Sequence, residues 1–329
     1  MSDGKLIGGA YPWKHISQVY QEGLDYMVNR KKGIIRSIET PWERFNDAGM
    51  GGIEWNTITV IAARPAAGKT LLTSQITREA HYRNPTQDFA VLDFQFEMLG
   101  RTMAMREFSA HLGKSMKQIA SADKIYGPVL NEDIMAAYNY CKANENRQIY
   151  VVDKPVTVDE FKRTVRNFCK HIGKPVMVTI DHSVLFRKNA SEKDKFEMLY
   201  NLGEALTELK KELPVTFIVL SQLNRDIQDK DRLKEGTAGN YVKDTDIFGA
   251  DAMLQHADMV IGLNRPYKLH LPVYGPDQYI MTPNTLVMHF LKVRNGDPRM
   301  SFFEAQFDKM RIVETEPPPC KGKATFSSK

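Results

Sequence analysis

"IAARPAAGKTLL", residues 61–72, decides the fold. It ends in the Gly68-Lys69-Thr70 of a phosphate-binding loop, but Ala63 stands where the general pattern G-x-x-x-x-G-K-[ST] has its first glycine. The surroundings are those such a loop needs. A short apolar run, "TITVIA" (57–62), precedes it, and a helical pattern from about residue 69 to 81 follows. In that setting the backbone N–H groups of the loop and the helix start cradle phosphates, which assigns Arg64, Pro65, Ala66, Ala67 and Gly68 to the cradle. Lys69 then reaches the β- and γ-phosphates and the Thr70 hydroxyl holds Mg²⁺, so ATP and Mg²⁺ are the expected ligands.

Outward from this loop, strand and helix alternate. "FAVLDFQ" (89–95), "QIYVVD" (148–153), "PVMVTID" (175–181), "VTFIVLS" (215–221), "DMVIGLN" (258–264), "TLVMHFLKV" (285–293) and "MSFFEAQF" (300–307) read as strands. Helical runs lie at 99–113, near 131–145, at 157–172 and at 191–212. In the last of these, Phe196, Leu199, Leu202, Leu206, Leu209 and Leu213 recur at close to a helical period. Continuous apolar strands between helices predict an α/β fold with a mostly parallel sheet covered on both faces. Ligands of such sheets bind outside the carboxyl ends of the strands, where the loops after residues 62, 95, 181 and 221 lie.

Those loops carry the other candidates. Asp181 ends a buried strand, the position for a carboxylate that coordinates Mg²⁺ through water. Glu97, just past a second strand, can polarise an attacking water, although an acid there also favours a helix start. Gln222, one residue past a third strand, can sense the γ-phosphate and signal to the long polar loop from Arg225 to about Ala250. That loop holds Lys230 and Arg232 among several acids. Lys292 and Arg294, two apart at a strand end, point the same way and suit a phosphate, in this subunit or in another.

The chain has 329 residues, 42% hydrophobic and 26% charged, which is globular composition. Its net charge of +5 suits an anionic partner without demanding one. Three cysteines without a C-x-x-C pair argue against a disulfide framework or zinc site, and for the cytoplasm. No leader-like or membrane-spanning apolar run is present in the sequence, so no membrane partner is expected. Residues 15–31 form one amphipathic helix with Ile16, Val19, Tyr20, Gly23, Leu24 and Met27 on a face, stopped by Gly33. Its face packs either on its own domain or on a neighbouring copy.

Taken in order, "AARPAAGKT", "FQFEM", "TIDHSVLF", "VLSQLNR", "DIFGADAMLQHAD" and "LKVRNGD" resemble the motifs of the DnaB-like replicative DNA helicases. The Ala-Arg-Pro start is what that family uses in place of the first glycine. The resemblance covers about residues 15–313 and implies a RecA-like P-loop NTPase core assembled head-to-tail into a hexameric ring, with nucleotide between subunits. It implies Lys69 and Thr70 on phosphate and Mg²⁺, Glu97 as base, Asp181 as second acid and Gln222 as γ-phosphate sensor. Lys292 and Arg294 would act in trans on the neighbour's nucleotide, and the helix at 15–31 would be the linker helix.

The implied activity is ATP-driven unwinding by translocation on single-stranded DNA during replication, with a primase or loader as further partner. A RecA-like recombinase filament and an ATP-switched assembly protein stay open as alternatives. The implied organisation is a mobile N-terminus with linker helix (1–32), the ATPase domain (33–313) and an unstructured tail (314–329). The family's N-terminal helical domain is expected to be absent. In the DNA-contacting loop, Phe248-Gly249-Ala250-Asp251-Ala252 replaces an Arg-Glu-Ser-Gly-Ser-like run. Arg225, Lys230, Arg232, Phe248, Gly249 and Ala250 are the DNA candidates, through backbone N–H groups, cations and a ring that stacks on a base.

Overall fold

A computed structural model describes residues 13–122, 127–234 and 236–321, with the backbone alone for Ala250 and Asp251. The chain divides into two compact units, residues 1–37 and 38–329. In the first, α1 (Ile16–Lys31) starts at a reciprocal cap in which the Ser17 N–H donates to His15 Nδ1 and the His15 N–H donates to Gln18 Oε1. Arg30 and Lys31 favour its C-terminal dipole. Gly33, at φ +68°, turns the chain out of the helix. No residue of α1 is buried.

The second unit is built on one sheet of nine strands. Its parallel part comprises β1 (Ile58–Ala63), β2 (Ala90–Gln95), β3 (Ile149–Val152), β4 (Val176–Asp181), β5 (Val215–Gln222) and β6 (Met259–Asn264). A two-stranded hairpin, β7 (Val273–Tyr274) and β8 (Tyr279–Ile280), stands outside the sheet. β9 (Thr285–Val293), β10 (Arg299–Gln306) and β11 (Arg311–Glu314) then extend it in antiparallel fashion. The order is β11-β10-β9-β6-β1-β5-β4-β2-β3.

The helices are α2 (Glu43–Ala48), α3 (Lys69–Arg83), α4 (Gly100–Leu112), α5 (Met116–Ala120), α6 (Asn131–Asn144), α7 (Val158–Ile172), α8 (Lys195–Glu212) and α9 (Ala250–Leu254). Alternate residues of the central strands feed two cores. Val60, Val178 and Val219 pack with α7 and α8 through Phe161 and Leu202, while Ile61, Met177 and Ile218 pack with α2 and α3 through Phe45 and Leu72. Burial on both faces is why these strands read as unbroken apolar runs.

Four expectations change. The stretch 33–55, with its Pro41 and four glycines, reads as loop-rich, yet residues 43–48 form α2, because Trp42 and Phe45 need a surface to bury against. Trp42 meets Phe303 edge-on at 6.1 Å and donates from Nε1 to the Ile312 carbonyl at 3.1 Å. The helix expected from residue 191 starts at Lys195, where Asp194 accepts from the N–H groups of Phe196 and Glu197. β11 is a strand that sequence reading passed over. The tail, expected to be unstructured from 314, is paired as far as Lys321: the Ile280 N–H donates to the Pro319 carbonyl, and the Lys321 N–H to that of Gln278. Residues 322–329 lie outside the described ones.

Among the described residues no helix is long and apolar enough to cross a membrane. A buried polar group, Asn264, Tyr274 and His289, sits where β6 meets β9, with Tyr274 Oη 2.8 Å from His289 Nε2. Burial lowers the His289 pKa from 6.5 to about 4. Between those values the unfolded chain binds a proton that the folded chain refuses, so folding stability should rise with pH across pH 4 to 6.5, by up to about 3 kcal/mol. His182, also lowered to about 4, adds to this rise, and Asp93, raised to about 6, opposes it. Urea titrations should therefore show a smaller gain from about pH 4 to about pH 7 in His289→Gln than in the parent; parallel curves would contradict this.

Candidate functional site

The loop after β1 opens where the parallel strands end. Ala66 (φ +61°) and Gly68 (φ +99°) turn the backbone so that the loop curls over the start of α3. The Leu72 N–H already donates to the Gly68 carbonyl, so the helix begins within the loop. Its first N–H groups therefore face the cleft, an arrangement that favours anions. A Cβ on Gly68 would lie 3.3 Å from the Phe307 ring, so glycine is required there for conformation and tight for space.

The cleft encloses about 460 Å³ and is lined by Arg64, Gly68, Lys69, Thr70, Glu97 and Gln222, among others. Pro65 and Ala66 are exposed at its rim, and Ala67 is buried beneath it. Burial lowers the Lys69 pKa, against the pull of Asp181 and Glu97. Burial raises that of Asp181, against Lys69 and the Thr70 hydroxyl. Neither Asp181 oxygen has a partner at hydrogen-bonding geometry, although Thr70 is near enough to favour the charged form. A buried ammonium and a buried carboxylate thus each favour the other's charged form, against the burial that disfavours both. Glu97 is exposed just past β2.

Among the described residues no group of three His, Cys, Asp or Glu could hold a metal by itself. Thr70 and an unpartnered Asp181 are still the donor set that Mg²⁺ takes when phosphates and water complete its shell. The residues present fit that ion.

Gln222 is wired to the loop that follows. The Phe248 N–H donates to the Gln222 carbonyl at 2.8 Å, Leu223 and Ile247 form a bridge, and the Asn224 N–H donates to the Asp246 carbonyl. The Gln222 side chain lies 3.5 Å from His182 Nε2, and His182 is held neutral by burial, then by Lys69 and Lys195.

Lys292 and Arg294 do not join this cluster. β9 runs antiparallel, and Val293 pairs with Met259 at the start of β6, level with the start of β1. Six residues of β1 then separate the pair from the loop, roughly 17 Å at strand rise. Lys292 Nζ donates to the Leu254 carbonyl, and Arg294 Nη1 lies 2.8 Å from Asp258, whose other oxygen takes Lys210 Nζ.

The family described as DnaB-like helicase C terminal domain matches residues 37–310. The chain belongs to that family. "Replicative DNA helicase DnaB" of Helicobacter pylori (strain J99 / ATCC 700824) is 24% identical over 270 residues, 80% of this chain and 51% of that protein. The chain spans about half the length of the curated relatives it matches. Two solved structures share the fold at 20% identity. One, an ATPase domain, has a TM-score of 0.73 over 90% of this chain and 98% of that one. The other, "The Structure Of A DnaB-Like Replicative Helicase And Its Interactions With Primase", has 0.72 over 92% and 66%. The RecA-like α/β fold is thereby shown.

In this DnaB-like domain the remaining expected residues fall in different places. Arg225 and Lys230 are exposed. Arg232 is a correction: it forms a two-oxygen pair with buried Asp246 and donates to the Gly239 and Tyr241 carbonyls, so it holds the loop together and has little left to offer DNA. Phe248 is half-buried, its ring tilted by 32° against that of Phe196 with the centroids 5.1 Å apart. Gly249, at φ +68°, is the N-cap of α9, and Ala250 begins that helix.

Sequence reading missed Arg106, Arg265 and Phe307, which also line the cleft. Arg265 lies over the Phe307 ring at 4.1 Å. Both come from irregular segments after β6 and β10, with no motif of their own. Gly68→Ala should lower folding stability by about 1–3 kcal/mol, the cost of a side chain at positive φ, in a denaturation midpoint measurement. An unchanged midpoint would contradict the loop geometry.

Proposed function

We propose that this chain is the ATP-driven motor of a replicative DNA helicase, working as a head-to-tail ring, hexameric as the family resemblance implies, that moves along single-stranded DNA. One observation carries the reading: the candidate catalytic groups are divided between opposite edges of one sheet. Lys69, Thr70, Glu97, Asp181 and Gln222 gather at the carboxyl edge, while Lys292 and Arg294 sit at the other. A heterologous contact that sets one edge against the other brings the two halves together.

In that arrangement the loop N–H groups and Lys69 bind the phosphates of ATP, and Arg265 with Phe307 offers a cation and a ring face to the base. Mg²⁺, when bound by Thr70 and Asp181, neutralises charge on the β- and γ-phosphates. Glu97 orients and deprotonates the attacking water. The neighbour's Lys292 and Arg294 stabilise charge on the transferred group, as arginine fingers do. Gln222 senses the γ-phosphate, and its backbone pairing with Phe248 carries that change to the loop ahead of α9.

That loop contacts DNA through Arg225, Lys230 and the backbone of Gly249 and Ala250. Affinity is then mostly phosphate contact, independent of sequence and weakened by salt. The exposed face of α1, with Ile16, Val19, Tyr20, Leu24 and Met27, acts as the linker helix and docks on a neighbouring copy. A primase or a loader is the further partner, in the cytoplasm.

The test is strand separation on a forked DNA with a 5′ single-stranded tail, with ATP and Mg²⁺. The parent should unwind it, and Lys69→Ala should lose both hydrolysis and unwinding by at least about a hundredfold. Hydrolysis at parental rates by Lys69→Ala would contradict the site. Hydrolysis by the parent without unwinding would contradict the motor.

A further inference from the structure

Three buried acceptor oxygens near the phosphate loop lack a partner at hydrogen-bonding geometry, although the Thr70 hydroxyl is close to Asp181: Oδ1 and Oδ2 of Asp181 and Oε1 of Gln95. The two residues are 1% exposed each and are direct partners in the β2–β4 register. Paired residues of adjacent parallel strands, about 4.8 Å apart, project from the same face of the sheet. Here that face is the one toward α3. A buried acceptor left unpaired is destabilising, and adjacent ones call for a group that only donates.

The Gln95 amide is fixed from its other end. Its Nε2 donates to both oxygens of Asp93, at 3.2 and 3.1 Å, and Asp93 in turn accepts from the Thr179 hydroxyl. With the NH₂ group committed, the carbonyl end is the one left over. A purely structural core amide would have both ends paired, as nearly all buried polar groups do. None of Asp93, Thr179 or Gln95 has a part in the chemistry proposed above.

We propose that Gln95 is a positioning residue for the Mg²⁺ of the phosphate site, accepting at Oε1 from a water on the ion, with Asp93 and Thr179 as the clamp that orients it. The inference rests on the phosphate-site reading above. Mg²⁺ sheds water reluctantly and takes few carboxylates beside phosphates, so a site with one buried acid gains from a second acceptor outside the ion's first shell.

The experiment is a titration of the full chain with Mn²⁺ in the presence of ADP, read by electron paramagnetic resonance, alongside ADP binding without metal. Gln95→Met should weaken Mn²⁺ affinity about tenfold to a hundredfold, leaving metal-free ADP binding unchanged even if the melt falls with the lost bonds to Asp93. Asp93→Asn, which keeps Oε1 but loosens its clamp, should shift Mn²⁺ affinity the same way by less, and decides the matter if the first variant does not fold. Parental Mn²⁺ affinity in the variants, or an equal loss of metal-free ADP binding, would overturn the inference. If the parent itself binds neither ADP nor Mn²⁺, the phosphate-site reading falls and this inference with it.

Discussion

The carboxyl edge of four adjacent parallel strands, β1, β5, β4 and β2, holds the site together. Each strand is almost wholly buried, with α2 and α3 on one face and α7 and α8 on the other. Backbone pairing on both sides and packing on both faces leave these strands no freedom, so the residues just beyond their ends are held in place by the core. Gly68, Lys69, Asp181, Glu97 and Gln222 lie at or just past the carboxyl ends of four strands and converge because those strands are neighbours. A site assembled this way needs few contacts among its own members. That explains how Asp181 can be deeply buried and still have unpartnered oxygens.

Much of this was legible from residue order. The apolar runs of β1, β4 and β5 state their burial outright, and Gly68-Lys69-Thr70 between a strand and a helix states what the loop does locally. Other features were not legible, for physical reasons. α2 is six residues long and exists because Trp42 and Phe45 find Phe303 and Phe290 far along the chain. Arg265 and Phe307 meet only after the sheet has brought together segments well separated along the chain. Arg232 looked like a free cation in a polar loop, but its partner, Asp246, lies 14 residues on and is buried. Charge type could be read from sequence; charge pairing could not.

The placement of Lys292 and Arg294 is what the proposed assembly rests on. In the isolated chain Asp258 is shared by Lys210 and Arg294, so one carboxylate answers two cations with Lys292 close by. The surplus positive charge faces outward, at the edge opposite the phosphate loop. An anion there is favoured, and no anion held in the chain's own cleft can reach it. In the proposed ring, nucleotide chemistry and assembly would be a single property: the contact that completes the site would also close the ring, and Gln222 would report the site's state to the loop held by Asp246.

The most direct measurement is hydrolysis by mixed assemblies of two defective subunits, Lys69→Ala and Arg294→Ala, each of them nearly inactive alone. If one subunit's Arg294 serves the next one's nucleotide, mixing should restore ATP turnover, because some interfaces pair an intact loop with an intact cation. The recovery should rise to a maximum at an intermediate ratio. No recovery at any ratio, in mixtures shown to exchange subunits, would contradict the claim that the site is completed by the neighbouring subunit.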